Sequence, residues 1–450
     1  MHRTGSRNVK VSFSAGQLTH FGGVYLLHRF LQQLQIRTFL GRQLYTPERN
    51  NHFSITERLF ALLYPMILGL DKIELTALLG TNGVFQYLTG LPRIPHPSTL
   101  RRFLTTNASI LLPKLRAAHN LLRANFLTLQ APYSSYWLDF DSTARTLYGN
   151  QEGVLKGYNP HHPGKKSYHP LICTEAHFQD CLGGELRYGN VHTAEGVSTM
   201  LNTVLAILPS SVRTIRVRAD AGFYDGDFIQ QLCENRVEFA VVAHMTAPLK
   251  RRVPALRYAK INPVYSTAEF QYQPHGWKQK HRFVVLREQL TEKRDAQLTL
   301  FKAKAYAYHV IVTNLSLTPY GVFTFYEDRS AMERTVRTLK EDYPFATAPT
   351  GNFAANALYA ELSLLAYNIV IWFRRLCLPG DWQSYTVATL RHRLLLIPGI
   401  FTRTGNRPVL KLPKNNPHQH TFLYAQECIK KLKSVVQSGQ SFKCRSEKLS

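Results

Sequence analysis

Two acidic residues stand at the end of a strand-like run, at a spacing that suits metal chemistry. Asp139 and Asp141 lie in the run YWLDFD, residues 136–141. Because strand side chains alternate between two faces, both carboxylates point away from the face of Leu138 and Phe140. Adjacent acids repel each other, so this placement favours a bound cation. The alternative is a pair of solvated acids at a loop entrance, because D-x-D is a weak pattern.

A third acid occupies an equivalent position further along the chain. Asp220 ends the strand-like run TIRVRAD and precedes a helical stretch over 226–234. The carboxyl ends of strands in open α/β sheets are common positions for functional groups. The alternative is that Asp220 only caps the helix, but Asp225 is the more natural cap. Asp220 is therefore a candidate ligand.

A long amphipathic helix is predicted over 318–341, with a threonine cap and a proline at its first position. At 100° per residue, four polar side chains fall within one arc about 60° wide: Tyr326, Arg329, Glu333 and Lys340. An apolar stripe beside that arc would anchor the helix to a core. The alternative is an ordinary ladder of surface ion pairs spaced four residues apart.

The charge of the chain points to a polyanionic partner. Its 450 residues contain 55 Lys and Arg against 29 Asp and Glu, a formal charge of +26. Nucleic acid is the leading partner class, and an anionic membrane surface is the alternative. The N-terminus does not resemble a secretory signal, and the longest apolar runs are shorter than the roughly 20 residues that span a bilayer. We therefore expect a cytoplasmic protein with no membrane partner.

The pattern of apolar and polar residues divides the chain into three predicted regions. Residues 1–130 have helical periodicity and form a predicted N-terminal DNA-binding domain. Residues 131–345 alternate short strands and helices, which predicts a mixed α/β sheet, with a β-rich insertion at about 246–308. Residues 346–450 form a predicted helical region with a basic tail. The six cysteines lack the paired spacing of a zinc site or a disulfide framework.

These residues resemble a known family. Tyr326-x2-Arg329-x3-Glu333-x6-Lys340 matches the Y-(2)-R-(3)-E-(6)-K signature of bacterial insertion-sequence transposases of the D-D-E type, in the cut-and-paste group that carries a β-strand insertion. The segments LDFDSTARTLYGNQEG, GYNPHHPGKKSYHPL, RYGN and RADAGFY are also similar to that family. The resemblance spans residues 136–345 and implies a ribonuclease-H-like fold interrupted by the insertion.

The resemblance implies a catalytic triad and a metal. Asp141 rather than Asp139, together with Asp220 and Glu333, would hold two magnesium ions, with manganese able to substitute. Water would attack the element's inverted-repeat end, and the released 3′ hydroxyl would attack target DNA. Such enzymes work on double-stranded DNA as synaptic dimers, here in association with the bacterial nucleoid.

The resemblance also implies a set of DNA-binding residues. Tyr326, Arg329 and Lys340 would contact the DNA phosphate near the cleaved end. Trp277, in the insertion, is a candidate for stacking on a flipped base. The alternative for Trp277 is a core position, which is commoner for an aromatic residue in a sheet. The three histidines within 159–170 are better explained by a proline- and glycine-rich loop than by a metal site.

Two other functions remain open from the sequence. The protein could retain the fold and bind DNA without catalytic activity. It could also be a glycosyltransferase in which Asp139 and Asp141 hold a metal-bound sugar nucleotide. The second alternative leaves the polar arc of the 318–341 helix and the positive charge unexplained.

Overall fold

The computed structural model describes residues 11–14, 16–47, 52–129, 134–160, 162–290 and 306–432. It divides into two compact units. The first contains the described residues up to Phe103 and from Trp372 onward, and the second contains those from Leu104 to Ile371. A helix, Pro97–Thr128 or Phe353–Cys377, crosses each boundary between the units, and the division into three functional regions stays a prediction. The predicted basic tail, residues 438–450, lies outside the described residues.

The first unit is largely helical at its N-terminal end, as its periodicity predicts. Its helices are α1 (Val24–Gln33), α2 (Ile36–Gln43), α3 (Ile55–Leu68), α4 (Thr76–Gly80), α5 (Gly83–Thr89) and the start of α6 (Pro97–Thr128). Helix α3 begins with a capping box in which Ser54 and Glu57 bond each other's backbone N–H. A two-residue strand, β1 (Leu18–Thr19), precedes α1.

The C-terminal part of the chain completes this unit. Arg391 donates hydrogen bonds to the carbonyls of Ile67 at 2.7 Å and Met66 at 3.0 Å, and Gln33 donates to the carbonyl of Leu432 at 2.8 Å. These contacts explain why the last residues group with the first. The elements added here are α13 (Val387–Leu390), β14 (Gly399–Thr404), β15 (Arg407–Lys411) and α14 (Gln419–Lys431), with β14 pairing between β1 and β15.

The second unit is built on two sheets. The strands of the large sheet are β2 (Ser135–Ser142), β6 (Leu171–Glu175), β7 (Cys181–Glu185), β8 (Thr214–Ala219), β9 (Glu238–Val242), β10 (Ala259–Lys260), β11 (Tyr265–Tyr272), β12 (His281–Gln289) and β13 (Tyr306–Thr313). A small sheet contains β3 (Arg145–Thr146), β4 (Leu155–Lys156) and β5 (Lys166–Tyr168), in the order β3-β5-β4.

The large sheet has the order β10-β11-β12-β13-β9-β8-β2-β6-β7. Strands β2, β6 and β7 are successive antiparallel neighbours, whereas β8 and β9 run parallel to β2 and follow helices α7 (Val197–Ile207) and α8 (Gly226–Glu234). This arrangement is ribonuclease-H-like, so the predicted fold class is confirmed. A short helix, α9 (Ala247–Arg252), and the antiparallel strands β10 to β13 extend the sheet beyond β9.

The predicted single helix over 318–341 is wrong, because the structure has two helices there. Helix α10 (Pro319–Glu327) begins with Thr318 capping the N–H of Gly321 at 3.1 Å, as expected. Helix α11 (Ser330–Glu341) follows after a turn at Asp328 and Arg329. No glycine or proline lies at this turn. The turn results from tertiary contacts between Arg329 and β2, which are described with the active site.

Helix α12 (Phe353–Cys377) is the one described helix long and apolar enough to cross a membrane. Its most apolar 18-residue window is 94% buried inside the molecule, which is the environment of a core helix. Within the second unit, its side chains Leu362, Leu365 and Ile369 are fully buried.

Candidate active site

Asp141 and Asp220 lie side by side at one edge of the large sheet. Strands β2 and β8 are parallel neighbours in which Phe140 pairs with Ala219, and each acid comes one residue later. Parallel strands end at the same edge, so the two carboxyl groups share a site. Burial raises the pKa of Asp141 to about 6, and repulsion from Asp220 adds to the rise while Arg329 opposes it.

Arg329 places a guanidinium against this pair. Its Nη2 lies 3.6 Å from Oδ1 of Asp141 and also donates to the carbonyl of Phe140, with the side chain only 14% exposed. The carboxylates of Asp141 and Asp220 both raise the pKa of Arg329. Arg329 is therefore held at the end of β2 by the Phe140 carbonyl and by the Asp141 carboxylate. These contacts explain the turn between α10 and α11.

Tyr326 and Lys340 also border the carboxylates. Burial raises the pKa of the Tyr326 hydroxyl, and among smaller effects Asp220 and Asp141 raise it while Arg329 lowers it. Burial lowers the pKa of Lys340, and the nearby Asp141 raises it in part. Four of the predicted site residues thus surround Asp141 in one charged cluster.

Glu333 is placed differently. It is exposed in the first turn of α11 and precedes Lys340 by seven residues, about 20° around the helix. It therefore shares a face with a side chain that borders Asp141. In the described part of the chain, however, no three His, Cys, Asp or Glu side chains lie close enough together to hold one metal ion.

The donors that are present suit a hard divalent cation. Asp141 and Asp220 supply carboxylate oxygens, the ligand type that magnesium prefers. Burial is the main cause of the raised pKa of Asp141, and repulsion from Asp220 adds to it; a cation between the two carboxylates would relieve that repulsion. The chemistry of these two side chains fits a metal site that a third acid would have to complete.

Asp139 has a different role from the one that D-x-D suggests. Arg218 Nε donates to Asp139 Oδ1 at 2.6 Å and its Nη2 donates to Oδ2 at 2.9 Å, with both side chains 0% exposed. A carboxylate enclosed in this way cannot also bind a sugar nucleotide's metal. The glycosyltransferase alternative therefore lacks one of its two ligands.

Arg218 was not among the predicted site residues, although the sequence carries a signal for it. In TIRVRAD the charged residues Arg216, Arg218 and Asp220 alternate with apolar ones. A charged side chain inside a central strand needs a partner, and the parallel register sets Arg218 directly opposite Asp139. Arg218 also donates to the carbonyl of Phe325 at 2.9 Å, near the end of α10.

A second arginine that the sequence analysis missed fixes the loop next to the site. Arg187 donates to Ser142 Oγ at 2.8 Å, to the carbonyl of His169 at 2.8 Å and to that of Thr193 at 3.1 Å. Burial lowers its pKa to about 10. Arg187 begins the RYGN segment, so its position in a shared sequence block was the available signal.

The two aspartates near α8 both act as caps. Asp225 accepts from the N–H of Phe228 at 3.0 Å, so its predicted role is confirmed. Asp220 accepts from the N–H of Gly222 at 2.9 Å, which fixes one carboxylate oxygen against a short 3₁₀ turn. The alternative that Asp220 caps α8 is therefore wrong, because Asp225 holds that position, and the bond to Gly222 leaves the other carboxylate oxygen of Asp220 for ligand binding.

Trp277 lies between the insertion and the segment that follows Asp220. Its ring centroid is 5.0 Å from that of Tyr224 and 5.3 Å from that of His281. A Cβ atom on Gly226 would lie 2.9 Å from Trp277 Cδ1, so the indole packs directly on the backbone there. These contacts favour the core alternative for Trp277.

Two acids at the ends of adjacent parallel strands of a ribonuclease-H-like sheet suit metal-dependent chemistry at a phosphate. The chain belongs to the family described as transposase DDE domain, group 1, whose model matches residues 1–434. It is thus a DNA transposase of the DDE type, a group that generally uses divalent metal ions.

No curated protein matches the chain. Among solved structures, a cryo-EM structure of a piggyBac transposase synaptic complex with hairpin DNA is 10% identical, with a TM-score of 0.44, and the match covers 84% of this chain and 80% of that one.

Proposed function

We propose that the protein carries out cut-and-paste transposition, by cleaving double-stranded DNA at the inverted-repeat ends of its element and joining the 3′ ends to target DNA. The observation that carries this proposal is that Asp141 and Asp220 each follow the last paired residues of β2 and β8, with Arg329 3.6 Å from Asp141. Carboxylates and a fixed cation together suit a reaction at a phosphate.

The proposed metal ligands are Asp141, Asp220 and Glu333. Two magnesium ions, or manganese in their place, would activate the attacking oxygen and stabilise the leaving one. Asp220 is oriented for this by its bond to the N–H of Gly222 at 2.9 Å. Glu333 would have to approach the two aspartates when DNA and metal bind, and it lies on the helix that Arg329 begins.

The cations of the site would position the DNA. Arg329 is rigid because it bonds the carbonyl of Phe140, so its guanidinium can bind a phosphate oxygen without reorganising. Lys340 adds positive charge beside Asp141, and the Tyr326 hydroxyl lies on the same side. Removing one of these groups would weaken phosphate placement more than overall folding.

The remaining parts of the proposal concern the assembly. The helical region within residues 1–130 would bind the inverted repeats, and two copies of the chain would synapse the two ends in the cytoplasm, on the nucleoid. Trp277 would stack on a flipped base only if it left its contacts with Tyr224 and His281. An inactive DNA-binding relative is the competing function.

The test is metal-dependent cleavage of a labelled duplex that carries the inverted repeat flanking the gene. We expect Asp220→Asn to reduce cleavage to background while binding of the duplex in EDTA is kept. Asp225→Asn is the matched control, because asparagine also caps helices and this residue only caps α8. Full cleavage by Asp220→Asn would contradict the proposal. Binding without cleavage by the wild-type protein would identify the inactive relative.

A further inference from the structure

The small sheet β3-β5-β4 exposes aromatic side chains beside the candidate active site. Tyr148 is 87% exposed, Tyr158 is 69% exposed and Leu155 is 39% exposed. Tyr148 follows β3 and Tyr158 follows β4, the two strands that pair with β5, and exposed large apolar side chains on neighbouring strands and loops indicate a binding site. We propose that this sheet binds a DNA strand with unpaired bases next to the cleaved phosphate, an inference that rests on the proposed function.

The charge of the same surface is complementary to DNA. Lys156, Lys165 and Lys166 are all exposed on it, and residues 153–174 contain no Asp or Glu. The neighbouring Glu152 accepts instead from the backbone N–H of Phe353 at 2.9 Å. Positive side chains interleaved with accessible rings are the pattern by which proteins hold single-stranded nucleic acid, with phosphates on the lysines and bases on the rings.

The backbone under these side chains is fixed. Asn159 is buried and donates to Thr146 Oγ1 at 2.9 Å while it accepts from the N–H of His162 at 3.1 Å. A Cβ atom on Gly157 would lie 1.9 Å from the carbonyl oxygen of Gly189, so β4 packs directly on the RYGN loop. Tyrosines on such a rigid platform lose little conformational entropy when a base stacks on them.

The surface is continuous with the carboxylates. Strand β3 begins four residues after Asp141 in the sequence, and Arg145 in β3 donates to the carbonyl of Lys340 at 3.1 Å. Lys340 in turn borders Asp141. A strand whose phosphate lies at Asp141 can therefore extend over the small sheet, where its bases would meet Tyr148 and Tyr158.

The test is fluorescence anisotropy with the full chain in EDTA, so that binding is measured without cleavage. The probes are a labelled single-stranded thymidine oligonucleotide and a labelled blunt-ended duplex. We expect Tyr148→Ala and Tyr158→Ala each to weaken binding of the single strand about 5- to 100-fold, with a much smaller effect on the duplex. The phenylalanine variants should bind like wild type.

Lysine variants test the charge in the same assay. Lys156→Ala and Lys166→Ala should each lower the slope of log affinity against log salt by about 0.7 for the single strand. Tyr320→Ala and Lys260→Ala are matched controls, because Tyr320 lies in the first turn of α10 and Lys260 lies in β10, an edge strand six positions from β2 in the large sheet. Neither control should change single-strand binding.

Three results would overturn the inference. The first is single-strand binding by the tyrosine-to-alanine variants equal to that of wild type. The second is an equal loss on the duplex, which would remove base stacking as the cause. The third is a wild-type chain that binds neither probe, which would also contradict the proposed function. If cleavage by the wild-type chain depends on Asp220, but the tyrosine-to-alanine variants bind the single strand as well as wild type does, the inference about the small sheet is rejected. The proposed function would then stand.

Discussion

Arg218 and Asp139 form a bidentate ion pair, with donor–acceptor distances of 2.6 and 2.9 Å, in which neither side chain is exposed. The guanidinium lies 5.2 Å from the ring centroids of Trp137 and Phe325, and it also donates to the Phe325 carbonyl. The pair therefore connects β2 and β8 to the last turn of α10, next to Tyr326. At this position the ion pair supports the turn that places the Arg329 side chain in the active site.

Breaking this pair is expected to destabilise the fold. Asp139→Asn leaves a buried guanidinium without its charge partner and should lower the free energy of unfolding by about 3–5 kcal/mol in urea titrations. The double variant Asp139→Leu with Arg218→Met should recover much of that loss, because a buried pair can be replaced by apolar groups. Its cleavage should remain low, since the Phe325 carbonyl has lost its donor. Full recovery of cleavage would show that the pair supports stability alone.

Arg329→Lys is expected to impair cleavage with little effect on folding. Lysine cannot contact the Phe140 carbonyl and the Asp141 carboxylate with one planar group, so phosphate placement should suffer. We expect a 10- to 100-fold lower cleavage rate, about 1.4–2.7 kcal/mol, in single-turnover assays. Arg337→Lys is the control, because Arg337 is exposed on α11. Equal rates for the two variants would contradict the role of Arg329.

Gly157→Ala is expected to disturb the contact between β4 and the RYGN loop. The added methyl group would lie 1.9 Å from a backbone oxygen, which no side-chain movement can relieve. Unfolding in denaturant should show a loss of at least about 1–3 kcal/mol. Gly351→Ala is the control, since nothing lies within 4 Å of its Cβ position. A neutral Gly157→Ala variant would show that the loop can move away.

The stability of the second unit should depend on pH through His119. Burial lowers the pKa of this fully buried histidine to about 4, and its Nδ1 bonds Glu361 at 2.6 Å while Asn368 bonds Nε2 at 2.9 Å. Because the folded pKa lies below the unfolded value, the neutral ring stabilises the fold above pH 6.5 and that contribution is lost as pH falls from 6.5 toward 4. The loss should reach about 3 kcal/mol.

The measurement is urea unfolding at several pH values between 4 and 7.5, for wild type and His119→Gln. Glutamine removes the titrating ring, so the variant should be less stable at pH 7.5 but show a smaller change toward pH 4. His309→Gln is the control, because that imidazole is 57% exposed. Parallel pH profiles for wild type and His119→Gln would assign the acid sensitivity to other groups.

The sequence predicted most of the elements of the large sheet, because alternation and capping are local. The run TIRVRAD became β8, Asp225 capped α8, and the insertion formed antiparallel strands. The break between α10 and α11 could not be predicted in this way, since no residue at Asp328–Arg329 disfavours helix. It arises from contacts between Arg329 and β2, which are 189 residues apart.

The two aspartates of the D-x-D pattern show the same difference between what local sequence predicts and what long-range contacts decide. Alternation correctly put Asp139 and Asp141 on one face, but it could not tell which of them would be enclosed. That depended on the register between β2 and β8, which sets Arg218 opposite Asp139. Asp141, one step nearer the end of the strand, stays 23% exposed and contacts Arg329. The role of Glu333 stays a prediction.

The strands β10 to β13, which extend the large sheet, separate the residues of the active site into an early and a late part of the chain. Strand β13 reaches its place by pairing with β9 and β12, and α10 and α11 follow directly from it. During synthesis, Asp141 and Asp220 therefore emerge long before Arg329 and Glu333, which follow the inserted strands in the chain. Contacts so distant in sequence form slowly. A nascent chain that ends before α10 would thus contain both aspartates yet lack the cationic half of its site, so that competence for DNA cleavage requires synthesis through α11.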